Sequence, residues 1–329
     1  MDRRELLKLG LALPILSYCP LALGAEEKQN FGWVPTSRRI RTPGFRRTGR
    51  RLIGSGEGRE VRLSVFLNRA LGHEMLPHDQ ELGDCVGQAY GLGTDNLAAT
   101  QIHMLGRAET FKAKTSTEVA YAGSRYEIGY QKHGSASILR GDGSNGYWCA
   151  EFLRDYGALL RGKYGEYDLT NYNAHLARQF GRDGVPDELE NLVKEHPVRS
   201  FSVCRNYIEC RDAIANGYPV IFCSGVGFNN CRRHNRNGRD SQGFLVPCGT
   251  WYHAMVGLDM DDKSARKSIT LYQSWGPNWV PGTPVEGMPD WAFKVDAATI
   301  DRMCSYGDTI AISNYLGHPG QGGLDYDLF

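Results

Sequence analysis

The chain has no sign to its charge. Its 329 residues hold 38 Lys and Arg against 37 Asp and Glu, a formal net charge of +1. The surface as a whole therefore advertises neither nucleic acid nor an anionic membrane as its partner. Nor does it have a CxxC pair among its nine cysteines. Their irregular spacing is not a metal pattern, so neither a metal site nor a cofactor is expected. After the N-terminus there is no apolar run long enough to span a membrane. GSGEG at Gly54 to Gly58 lacks the strand before and helix after that a phosphate loop requires, and it reads as a flexible joint. Apolar material is not scarce. At 41% hydrophobic and 11% aromatic the composition is that of a globular protein with one or two domains.

The first 25 residues, MDRRELLKLGLALPILSYCPLALGA, run from a charged start into an apolar stretch of leader length with small residues after it. Arg3 and Arg4, followed by Leu6, Leu7 and Lys8, resemble a twin-arginine export signal. The expectation is a mature protein that is exported, periplasmic or otherwise extracytoplasmic. Residues 26–65 form a basic extension with seven arginines between Arg38 and Arg51, broken by Gly and Pro. It reads as a solvated extension packed on the body. Nucleic-acid or acidic-surface binding and a short autoinhibitory role are the other readings open to it. Cys19 falls in the leader. Cys204–Cys210 and Cys248–Cys304 are the candidate disulfides.

The chemistry centres on DQELGDCVGQAY, Asp79 to Tyr90. Cys85 follows a polar loop and opens a segment that can run as a helix to about Leu105. A thiolate is the nucleophilic form of cysteine. The N–H groups and positive dipole at a helix N-terminus favour that anion, and a neighbouring imidazolium would favour it more. His103, later on the same helix, reads as a packing residue. Two later stretches, GTWYHAMVGLDM with His253 and LYQSWGPNW with Gln273, Ser274 and Trp275, read as strands joined through a turn at Asp261 to Ser264. Such a hairpin can set a His beside an amide.

Five stretches in this order resemble the papain-like cysteine peptidases, over roughly residues 79–310. DQELGDCVGQAY is similar to the segment around that family's nucleophile. GSNGYW (residues 143–148) is similar to its Gly-rich cleft loop, and IANGYPVIF (214–222) to a strand that carries part of its specificity pocket. PCGTWYHAM (247–255) is similar to the approach to its histidine, and QSWGPNW to its Asn-Ser-Trp-Gly signature. The resemblance implies hydrolysis of peptide bonds by a Cys85–His253–Gln273 triad through a thioester acyl-enzyme. It further implies Gln80 in the oxyanion hole, Gly143, Ser144, Asn145, Gly146 and Ala254 against the substrate, and Trp275 shielding the triad. Departures accompany it. Gln273 stands where the family has Asn, Leu82 replaces a cysteine, and Gln80 lies five residues before Cys85 where the family's glutamine lies six before. The 168 residues from Cys85 to His253 exceed the usual roughly 130–150. The polar run at 229–243 accounts for part of that excess.

The fold class implied is α+β, two-lobed. A helical lobe (about 66–200) would carry helices near 85–105, 116–130 and 147–161. A β-rich lobe (about 201–318) would contain VIFCSGVGF, TWYHAMVGLDM, SITLYQSWG and WAFKVD, with an active-site cleft between the lobes and a loose tail at 319–329. A monomer acting on peptide or protein substrates is expected. A catalytically weak binding or structural protein of the same fold, and a cell-wall amidase, are the alternatives.

Overall fold

The computed structural model describes residues 29–30, 32–35, 45, 54–104, 110–228, 238–280 and 282–315. The leader, most of the Arg-rich extension, residues 229–237 of the polar run and the tail lie outside these.

In chain order the elements begin with β1 (Gln29–Asn30), β2 (Glu60–Arg62), α1 (Ser64–Leu71) and α2 (Cys85–Met104). Next come α3 (Thr117–Gly123), a π-helical continuation over Ser124–Lys132, a 3₁₀ turn at Ala136–Arg140 and α4 (Gly146–Asp155). A two-stranded ribbon of β3 (Lys163–Tyr164) and β4 (Tyr167–Asp168), α5 (Ala174–Asp183) and α6 (Asp187–Val193) complete the helical half. The second half is β5 (Val198–Val203), α7 (Tyr207–Ala215), β6 (Val220–Phe228), β7 (Pro247–Asp261), β8 (Ser268–Tyr272), β9 (Ala292–Asp296), α8 (Ala297–Cys304) and β10 (Asp308–Tyr315).

The sheet runs β5-β10-β6-β7-β8-β9, with β1 and β2 also pairing with β7. Every residue of β6 is buried, which is why VIFCSGVGF reads as an unbroken apolar run rather than an alternating one. β7 is long enough to meet β6 at one end and β8 at the other, and its pairing with β6 sets Ser224 opposite His253 and Cys223 opposite Ala254. The turn after β7 is fixed by Asp261, whose Oδ1 accepts from the backbone N–H groups of Lys263 (3.1 Å) and Ser264 (2.9 Å). β2 joins the sheet from within the stretch read as basic extension.

α2 is buried on nearly all sides and packs against β7, α1 and α3. Gly87 and Gly91 are what let it approach α3. A Cβ at Gly87 would sit 2.7 Å from Thr117 O, and one at Gly91 2.6 Å from the Thr117 methyl. His103 stacks on Phe66 with ring centroids 4.5 Å apart, so it is a packing residue. The helix expected within 147–161, with its end near Gly157, closes at Asp155, and Gly157 then turns the chain at φ +119°.

Neither candidate disulfide forms. Cys204, Cys210, Cys248 and Cys304 are all free thiols. Cys304 packs its sulfur 3.6 Å from that of Cys210 in the core, while Cys248 is exposed on β7. No helix among the described residues is long and apolar enough to cross a membrane.

Candidate active site

Cys85 is the first residue of α2 and is completely buried. The backbone N–H groups of Cys85 and Val86 at the helix start, and that of Ala254 on β7, face its sulfur. The Ala254 contact brings the helix and the His253 strand together. Burial pushes the thiol up nonetheless, and the Asp84 carboxyl beside it adds to the push. His253 is buried too, and burial brings its imidazole down to about 3. Both groups are therefore neutral in this state. Trp275 lies flat on the His253 ring, with centroids 4.0 Å apart and planes at 20°. The Trp275 ring also meets Trp251 edge-on at 5.2 Å and Trp279 tilted at 4.7 Å, so it is packed among three aromatic partners.

Gln273 is buried at the end of β8, and its Oε1 accepts a hydrogen bond from the Trp275 backbone N–H. The extra methylene relative to asparagine lets the amide turn back onto its own loop. Gln80 ties two loops together. Its backbone N–H donates to Ser274 O (2.9 Å), its Oε1 accepts from Ser274 Oγ (2.5 Å), and its Nε2 donates to Leu82 O (3.0 Å).

The loop at 141–146 is wound around a buried guanidinium. Arg125 donates to the carbonyls of Ile138 (2.6 Å), Gly181 (3.0 Å), Gly141 and Gly143. Gly143 holds φ +109°, which the turn requires. Asn145 caps α4, accepting from Trp148 N–H at 3.4 Å. Gly146 N–H donates to Asp308 Oδ2 at 2.9 Å. The loop thus packs at Gly146 on Asp308 and Cys223, and Cys223 lies opposite Ala254 in the sheet, while Gln80 joins its loop to the one that carries Gln273 and Trp275.

Sequence reasoning missed two features. The first is a buried network under the nucleophile. Asp84 Oδ2 accepts from Gln88 Nε2 (2.8 Å) and Tyr172 OH (2.9 Å), and His78 Nδ1 donates to Gln88 Oε1 (2.8 Å). Burial raises Asp84 to about 7 and brings His78 down to about 4.

The second is which residues of the extension meet the body: residues 32–34 run between the Ser144 loop and Tyr252, the residue before His253. Ser144 N–H donates to Gly32 O (2.7 Å), Val34 N–H to Ser144 O (2.7 Å) and Trp33 N–H to Tyr252 O (3.1 Å). Asn145 Nδ2 donates to Val34 O at 3.0 Å. A Cβ on Gly32 would fall 2.1 Å from Gly83 O, so the segment presses on the loop two residues before Cys85. The signal in the sequence was FGWVP, an apolar island ahead of the arginines.

No protein-family model matches the chain, and no curated protein matches it by sequence. Solved structures do. The fold is similar to that of xylellain, a cysteine protease from Xylella fastidiosa, at 16% identity and a TM-score of 0.57, covering 88% of this chain and 98% of that one. It is also similar to proCathepsin B S9 from Trypanosoma congolense, at 9% identity and a TM-score of 0.50, covering 89% and 87%. At such identities the likeness is one of fold. The chain has the papain-like cysteine protease fold, the class its sequence implied.

Proposed function

We propose that the chain, built on this fold, is a cysteine peptidase. The observation that carries the reading is the meeting of Cys85, at a helix N-terminus, with the His253 strand through the Ala254 backbone, under a Trp275 lid. Cys85 Sγ attacks the scissile carbonyl carbon while His253 takes the thiol proton. The tetrahedral oxyanion collapses, the C–N bond breaks, and the amine leaves with the proton that His253 returns. Water, deprotonated by His253, then attacks the thioester and frees the acid and the thiol.

The oxyanion is assigned to the Cys85 backbone N–H with the Gln80 amide as second donor, which requires that amide to turn from Leu82 O. Gln273 orients the imidazole through the second lone pair of its oxygen. Gly143, Ser144, Asn145, Gly146 and Ala254 meet the substrate. The leader reading makes this an exported enzyme.

The test is hydrolysis of an unfolded protein by a chain whose cleft segment is loosened by Trp33→Ala with Val34→Pro. The reading expects turnover there and none when Cys85→Ala is added. Equal turnover with and without Cys85 would overturn it.

A further inference from the structure

Trp33 is not a bystander in the segment between the Ser144 loop and Tyr252. It is 1% exposed, and its indole Nε1–H donates to Asp308 Oδ2 at 2.8 Å. Tyr306 meets its ring edge-on at 5.7 Å, and Tyr252 lies tilted against it at 6.0 Å. Asp308, the first residue of β10, is itself buried, and its carboxyl is raised to about 6 by that burial while the Trp33 indole and the Gly146 and Tyr147 N–H groups pull it back down. Asp308 pairs in the sheet with Cys223, which in turn lies opposite Ala254. A Cβ on Gly146 would fall 2.6 Å from the Cys223 sulfur and 2.7 Å from an Asp308 oxygen, so the loop presses directly onto this pair.

The backbone around Trp33 is held as an added strand is held. One edge bonds to the Ser144 loop, the other to Tyr252, the residue before His253. In that mode main-chain bonds supply affinity and the pocket for the side chain supplies selectivity. A buried acceptor inside aromatic walls is matched by a flat side chain that brings one N–H. An aliphatic or phenyl side chain fills the space and leaves the carboxyl short of a donor, a deficit of roughly 10- to 100-fold in affinity. A guanidinium brings donors, at the cost of burying a charge that must be desolvated.

We propose that this pocket is the substrate side-chain pocket of the site, that Asp308 makes it select tryptophan, and that residues 32–34 are its tethered occupant. The inference rests on the peptidase reading for its word "substrate", and on the Trp33 geometry for the pocket itself. The full chain is then self-occluded. Substrates that present Trp to the Ser144–Tyr252 frame compete with the chain's own segment.

Binding separates the two layers. The probe is the peptide QNFGWVP (residues 29–35), titrated by calorimetry into the full chain carrying Trp33→Ala, Val34→Pro and Cys85→Ala. Expected is saturable binding that weakens at least tenfold when the peptide's Trp is replaced by Leu, by Phe, or by 1-methyltryptophan, which removes only the N–H. With Asp308→Leu added, the Trp and 1-methyltryptophan peptides should bind alike. If that variant does not fold, the methylated peptide alone decides. No binding, equal binding of the methylated peptide, or tighter binding of an Arg version would each overturn the proposal. The chain with Cys85 restored is then offered a mixture of unfolded proteins. Selective peptide binding without hydrolysis would sink the peptidase reading and leave the pocket standing. Hydrolysis without Trp selection would do the reverse.

Discussion

Gln273 shows what a single methylene does at this site. An asparagine there would hold its amide close to the strand. The glutamine folds back until its oxygen accepts from Trp275 N–H. That bond ties Gln273 to the backbone of Trp275, whose ring stacks on His253. Replacing Gln273 by Ala is expected to lower kcat by about 10- to 100-fold, the worth of a hydrogen bond to a group that becomes charged, with KM little changed. Steady-state kinetics in the loosened chain check this. A rise in KM alone would mean that Gln273 serves substrate binding instead. The helix start at Cys85 and the strand that carries His253 were legible because a polar loop before a helical period and an apolar strand between turns leave local marks. Asp308 was not, because nothing near DTIAIS marks an aspartate that the fold will bury beneath another loop.

At the scale of elements, the glycines of α2 act against their helix propensity. Gly91 and Gly93 are poor helix formers, yet the helix runs unbroken from Cys85 to Met104. Gly87 and Gly91 are the faces through which α3 reaches it. Propensity was outweighed by close packing, which one chain segment cannot reveal about itself. Gly87→Ala, whose methyl would meet Thr117 O and the Tyr121 backbone, is expected to destabilise by about 1–3 kcal/mol as an overpacking change. A urea midpoint unchanged or raised would show that α3 yields without cost. The strand β6 was legible end to end because a buried central strand writes its burial into composition. The cleft segment was not, since Gly, Pro and Arg around Trp33 give no period to read.

At the scale of the whole molecule, several carboxyls among the described residues are buried. Burial raises Asp84, Asp95 and Glu127 to about 7 and Asp308 to about 6. Each keeps its proton in the fold at a pH where the unfolded chain has released it. Their contribution is therefore complete below about pH 4 and is lost as pH rises through 6 to 7. His78 and His253, lowered to about 4 and about 3, act oppositely. Their contribution is complete above about 6.5 and is lost as pH falls. Four carboxyls against two imidazoles leave the carboxyls dominant between about pH 4 and 7. Thermal unfolding is expected at a higher temperature at pH 5 than at pH 7.5. The opposite order would mean these carboxyls are ionised in the fold.

The peptidase account comes down to whether Cys85 and His253 form a working pair once the cleft is open. Alkylation of Cys85 by iodoacetamide, followed across pH with the site located by mass spectrometry, tests this directly. In the unaltered chain the buried neutral thiol should react slowly throughout. In the chain carrying Trp33→Ala and Val34→Pro, modification should be fast and persist to mildly acidic pH, and His253→Ala should abolish that persistence. Modification that rises only near pH 8–9 in the loosened chain, with or without His253, is the behaviour of an ordinary thiol and would contradict the account.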